Sequence, residues 1–116
     1  MRDYTKYDIW KGGIEISIKK YKLTKPFPEE EKFGIVSQLR RASVSISSNF
    51  VEGCSISSEK EFKRFIEIAL GSVFELKTQL IISNKLGFTE ERLLTELTEM
   101  IDKTSKQLNA LRNKLK

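Results

Sequence analysis

The chain has 116 residues, 32% of them charged and 39% hydrophobic, with a formal net charge of +5 and a pI near 9.4. This length suits one domain with a single modest core, and the composition is that of a soluble folded protein. With no histidine and only one cysteine, Cys54, it excludes Ser-His-Asp and Cys-His catalysis, an internal disulfide, and histidine-ligated or multi-cysteine metal sites.

The first helix is expected over about residues 8–22, with Asp8 as its N-cap. Trp10, Ile14, Ile18 and Tyr21 recur at spacings of four and three and mark its apolar face. Gly12-Gly13 is either a weak point in this helix or a place where a neighbouring helix comes close. Lys25-Pro26-Phe27-Pro28 forms the turn that ends it. Pro28 and the acids Glu29, Glu30 and Glu31 then open a second helix, about 29–52. Its stripe is Phe33, Val36, Leu39, Ser43, Ile46 and Phe50, and Gly53 reads as its stop. Ser37, Ser43, Ser45, Ser47 and Ser48 are poor interior helix formers. They fit only if another helix packs very close on that side.

Ser58 with Glu61 is a capping box that starts a third helix, about 58–86. Phe62, Phe65/Ile66, Ala69, Val73, Leu76 and Leu80 form its stripe, and Asn84-Lys85-Leu86-Gly87 closes it. Ile68, Leu70, Phe74, Ile81 and Ile82 fall off the stripe, so the apolar surface is wide and self-association is expected. The fourth helix, about 90–114, takes Thr89 as cap and carries a heptad seam: Leu94, Leu97, Ile101, Thr104, Leu108, Leu111 and Leu115. The chain therefore reads as a single all-α domain over 1–116, an antiparallel up-down-up-down four-helix bundle.

Charge is unevenly distributed. Residues 89–102 hold five acids against Arg92, whereas Lys103, Lys106, Arg112, Lys114 and Lys116 end the chain without an acid. Helix-dipole preference accounts for part of this. The rest fits weak, sequence-blind attraction to a polyanion, with a solvated helix face as the alternative. The candidate nucleic-acid contacts are Lys19, Lys20, Lys103, Lys106, Arg112 and Lys114. Arg40-Arg41, in mid-helix, could grip phosphate or pair with Glu52, Glu67 or Glu75. A polar seam is expected from Arg41, Ser45, Asn49 and Glu52 to Glu75 and Gln79, as a packing network or a ligand site. No catalytic residue, metal or cofactor is assigned. Met1–Asp8 has no signal-peptide core, and Glu67, Glu75, Lys77 and Lys85 interrupt the most apolar stretch, so a cytoplasmic protein without membrane contact is expected.

Longer patterns carry a resemblance. Tyr4-x-x-Tyr7-x-Ile9-Trp10 and Phe27-Pro28-x-x-Glu31-x-Phe33-Gly34 precede Gln38-Leu39-Arg40-Arg41-Ala42-x-Val44-Ser45-Ile46-x-Ser48-Asn49-x-x-Glu52-Gly53. Ser58-x-x-Glu61-Phe62-x-x-Phe65, Ala69-x-Gly71-Ser72-x-x-Glu75-Leu76-x-Thr78-Gln79-Leu80 and Leu86-Gly87-Phe88 follow. Together they resemble the four helix bundle protein family, the 23S rRNA-intervening sequence proteins. The resemblance implies a ring-like homopentamer without enzymatic activity. It also implies, through a related branch of diversity-generating retroelement accessory proteins, binding to RNA or DNA and to a reverse transcriptase. Gly12-Gly13, Ser43 and Ser47 depart from the family pattern. The competing expectation is an adaptor bundle that binds a protein partner and no nucleic acid.

Overall fold

Caps and apolar spacing set where the helices form. In this computed structural model, which describes residues 2–115, they are α1 (Asp8–Thr24), α2 (Ile35–Cys54), α3 (Glu59–Lys85) and α4 (Glu91–Lys114). Two 3-10 turns, Tyr4–Lys6 and Glu29–Glu31, lie between them in sequence or ahead of them. There is no strand among the described residues. Each helix packs on the two that flank it, α1 on α2 and α4, and α3 on α2 and α4, so that α1 and α3 stand at diagonal corners.

The contacts also give the directions of two pairs. Gly53 lies against Phe65 and Arg41 beside Glu75, so α2 and α3 run antiparallel. Gly12 lies against Thr104 and Lys19 pairs with Glu96, so α1 and α4 do as well. The stripes on α3 and α4 are buried as their spacing requires, from Phe62 through Leu80 and from Leu97 through Leu108. They meet Leu39, Ile46 and Phe50 of α2 in one core.

Helix α1 is rotated from the expected orientation. Its buried face is Ile9, Gly13, Ile16, Lys20, Leu23 and Thr24, while Ile14, Ile18 and Tyr21 face outward. The glycine pair decides this. A Cβ on Gly13 would stand 2.9 Å from the Ser47 Cβ, and one on Gly12 2.7 Å from the Thr104 hydroxyl. Lacking side chains there, α1 lets α2 and α4 approach on that side, which turns the apolar set beginning at Ile14 to the surface. The small Ser47 and the buried Ser43 are the matching feature on α2. Both hydroxyls donate to their own helix, to the carbonyls of Val44 and Arg40.

Several boundaries differ from the expected ones. Tyr7, not Asp8, is the N-cap of α1; Asp8 is its first helical residue, and the capping carboxylate is Asp3, which accepts from the Thr5 N–H at 3.1 Å in the preceding turn. The second segment is split. Phe27 is buried with its ring 5.5 Å from that of Phe88, which holds the chain across the end of the bundle. The acids then form only a 3-10 turn, and α2 starts after Gly34. Phe33, in the gap, is 89% exposed and not in the core. Gly53 is not a stop. It is buried inside α2, where a Cβ would come within 2.8 Å of the Phe65 Cβ. Gly87, at φ 78°, does end its helix, with Phe88 N–H donating to the Ser83 carbonyl at 3.0 Å. Glu90 rather than Thr89 is the N-cap of α4, because the Thr89 hydroxyl donates to Asn84 Oδ1 at 3.0 Å.

Candidate nucleic-acid interface

The six basic candidates fall into different surroundings. Lys106 and Lys114 are exposed and Arg112 half-buried along the last turns of α4. Lys103 is exposed too, but it borders shallow grooves that also hold Asp8, Glu15, Glu96 and Glu99. The Lys19 ammonium is taken by Glu96, and this hydrogen bond holds the Glu96 carboxyl below its usual pKa.

Lys20 does not belong with this surface. It is 1% exposed, with its ammonium 3.4 Å from the centroid of the Tyr21 ring. Burial, and to a lesser degree the Arg40 charge, lower its pKa to about 8. Its place on the buried face follows from the rotation of α1.

The antiparallel pairs gather basic residues that lie far apart in sequence. The start of α1, the end of α2, the start of α3 and the end of α4 share one end of the bundle, tied together by Arg2. Arg2 donates from its backbone N–H to the Cys54 carbonyl at 3.0 Å and from its guanidinium to the Ile56 carbonyl at 2.7 Å, and it lies over the Phe62 ring. Lys6, Lys11 and Lys60 are exposed there, and Lys63 half-buried. With Lys106, Arg112 and Lys114 they outnumber the acids Asp3, Asp8, Glu52, Glu59 and Glu61. At the opposite end, Glu29, Glu30, Glu31, Glu90 and Glu91 offset the bases. Sequence reasoning missed Lys6, Lys11, Lys60 and Lys63. The usable signal was topological: charges at the start of one helix and the end of its antiparallel neighbour add.

The polar seam is present only in part. Arg41 and Glu75 approach to 3.7 Å across α2 and α3, and Arg41 donates to Gln38 at 2.8 Å. Ser45 and Asn49 instead bond their own helix, to the carbonyls of Arg41 and Ser45. Glu52 is exposed beside Ser47 and Ser48 in a shallow groove. The Gln79 side-chain oxygen is buried without a hydrogen-bond partner. Thus the expected residues form helix-local bonds plus one cross-helix ion pair. Cys54 is fully buried, and burial raises its thiol pKa to about 11. Among the described residues no three His, Cys, Asp or Glu side chains converge as metal ligands would, and no helix is long and apolar enough to cross a membrane.

Four packed helices, a greasy interior and one basic end make this a small all-α helical protein. Its sequence over residues 5–110 matches the family model of the 23S rRNA-intervening sequence protein, and the chain belongs to that family. The fold is shared with a crystal structure from Bacteroides thetaiotaomicron, described as a protein of unknown function from the S23 ribosomal protein family. The TM-score is 0.82 at 19% identity, covering 90% of this chain and 97% of that one. No functionally curated protein matches.

Proposed function

We propose that this protein is a cytoplasmic, non-enzymatic bundle that self-associates, as a pentamer on the family resemblance, and holds RNA by its phosphates. The observation that carries this reading is the basic end, where Lys106, Arg112 and Lys114 of α4 stand near Lys6, Lys11, Lys60 and Lys63. The family description supports RNA as the polyanion, since it names 23S rRNA. No aromatic side chain interleaves with the basic residues of α4, so the contact is electrostatic and sequence-blind, without base stacking. Lys103 borders it, in the groove that also holds Lys11; Lys19 is peripheral because Glu96 takes its ammonium, and Lys20 is withdrawn into the interior.

Replacing Lys103, Lys106, Arg112 and Lys114 together by glutamine is expected to weaken retention of a generic single-stranded RNA at low salt by tenfold or more while helicity is unchanged. A wild-type protein that holds no RNA at low salt overturns the reading. Competition with DNA of the same length separates the two nucleic acids.

A second reading draws on the exposed Phe74, Ile81 and Ile82 of α3. Here the bundle is an adaptor for a protein partner, a reverse transcriptase being the one that the retroelement branch suggests. The quadruple glutamine variant would then keep partner binding intact.

A further inference from the structure

We propose that the groove between α1 and α4 reads the ribose 2′-hydroxyl of a bound strand, so that this protein prefers RNA to DNA. The phosphates lie on Lys11 and Lys103, and the sugar hydroxyl sits between the Glu15 carboxylate and the Thr104 hydroxyl. This rests on the RNA reading above and assigns the residues that tell the two backbones apart.

The groove holds about 290 Å³, at the low end for a ligand pocket, and runs from Asp8 at the basic end of the bundle to Glu15. Gly12 and Thr104 meet on its floor. The only atoms of another helix within 4 Å of a Cβ on Gly12 would belong to Thr104. Without a side chain at that position, the Thr104 oxygen stays uncovered on the groove side. Thr104 is 2% exposed and is the polar member of an otherwise aliphatic seam. Thr24, Ser43, Ser47 and Ser83 are buried as well, and each donates to a carbonyl of its own helix. Among the described residues, Thr104 is the buried hydroxyl that makes no such bond, and its side chain lines the groove. A buried hydroxyl without a partner calls for one, and a group seated in the groove supplies it.

The charges around this floor are of both signs. Lys11, Lys103 and Glu15 all border the groove, and none of them enters an ion pair among the described residues. A first-turn acid such as Asp8 follows from the helix dipole, but Glu15 lies about two turns into α1. An acid beside a track for phosphates weakens binding to any nucleic acid unless it meets a donor. The sugar-phosphate backbone of DNA carries acceptors only. That of RNA adds to every nucleotide a hydroxyl that donates as well as accepts. Glu15 supplies the acceptor for this hydroxyl and Thr104 the donor. Lys11, one turn from Glu15, and Lys103, next to Thr104 in the chain, are placed for the flanking phosphates. No base edge takes part, so the contact stays blind to sequence while it distinguishes sugars.

Oligouridylate and oligodeoxyuridylate of equal length differ only at the 2′ position, and fluorescence anisotropy at one low salt concentration compares them. A hydrogen bond to an ionised acceptor is worth about tenfold or more in affinity. Wild type is therefore expected to bind the RNA at least about ten times more tightly than the DNA. Thr104→Val keeps the shape and removes the hydroxyl, and Glu15→Ala acts at an exposed position. Each should bring the ratio of the two affinities close to unity, with far-ultraviolet circular dichroism and thermal melts checking that both variants fold. Glu15→Ala should also bind the DNA more tightly than wild type does, because it removes a negative charge that nothing on DNA offsets. A wild type that binds the two strands equally, or a preference that either folded variant keeps, overturns this inference and leaves the phosphate reading in place. A wild type that holds no RNA at low salt overturns the RNA reading underneath it.

Discussion

Burial of the Lys20 stem brings its ammonium to 3.4 Å from the Tyr21 ring centroid, and the charge acting on it most is another cation, Arg40. The ring face attracts a cation, but no carboxylate among the described residues pairs with this one. An unfolded lysine keeps its proton to about pH 10.5, whereas folded Lys20 releases it near pH 8. Between those values the unfolded chain binds more protons, so stability rises with pH across that window, and the penalty is fully present below pH 8. Lys20→Met should therefore stabilise the fold at pH 7 by up to about 3 kcal/mol, with the gap from wild type narrowing toward pH 10.5. Urea denaturation of both proteins at pH 7 and pH 10 measures it; a constant gap contradicts the assignment. A sequence does not disclose this conflict. Lys19 and Lys20 are adjacent bases in it, and only the rotation of α1 sends one to Glu96 and the other inward.

That rotation is a property of helix pairs, and Gly13 tests it. The atoms that a Cβ there would meet are the Ser47 Cβ at 2.9 Å and the Ser47 backbone Cα and N at 3.4 Å. Backbone cannot rotate aside, so α1 and α2 must separate. Alanine gains about 1 kcal/mol of helix propensity, but overpacking at a close crossing costs about 1–3 kcal/mol. Gly13→Ala is expected to lower the melting temperature by several degrees, and Ser47→Gly in the same chain to restore most of it. A Gly13→Ala protein that melts higher than wild type contradicts this account. The helices differ in how far they could be read for a related reason. On α3 and α4 the apolar residues form one dominant stripe over about five to six turns, so periodicity alone selects the buried face. On α1, Ile9, Trp10, Ile14, Ile16 and Ile18 surround the helix, and periodicity leaves the face open until the glycines choose it. Phe33 fits the spacing of α2 but precedes its first turn, because the burial of Phe27 holds the chain across the end of the bundle.

Over the whole molecule, the basic end and the exposed Phe74, Ile81 and Ile82 of α3 belong to different surfaces, so the proposed RNA contact and the proposed self-association can be tested separately. The basic residues were each readable in the sequence; their gathering at one end required knowing which helix termini meet. One copy brings Lys106, Arg112 and Lys114, with Lys6, Lys11, Lys60 and Lys63 nearby. If about three to five of these meet phosphates of single-stranded RNA, log affinity falls with log salt at a slope of roughly −2 to −4 per copy. Under the proposed self-association, an assembly that lays one strand across two or more basic ends adds these slopes, and it gains affinity because later contacts form intramolecularly. Fluorescence anisotropy with an RNA long enough to span neighbouring copies should therefore give wild type a slope at least twice that of a Phe74→Glu variant, whose charge on the exposed face of α3 is expected to break self-association. The variant should bind more weakly at every salt concentration, by tenfold or more at low salt. With a short RNA that reaches a single basic end, the two slopes should coincide. Equal slopes on the long RNA would mean that copies bind independently, and self-association would then have no part in holding the strand.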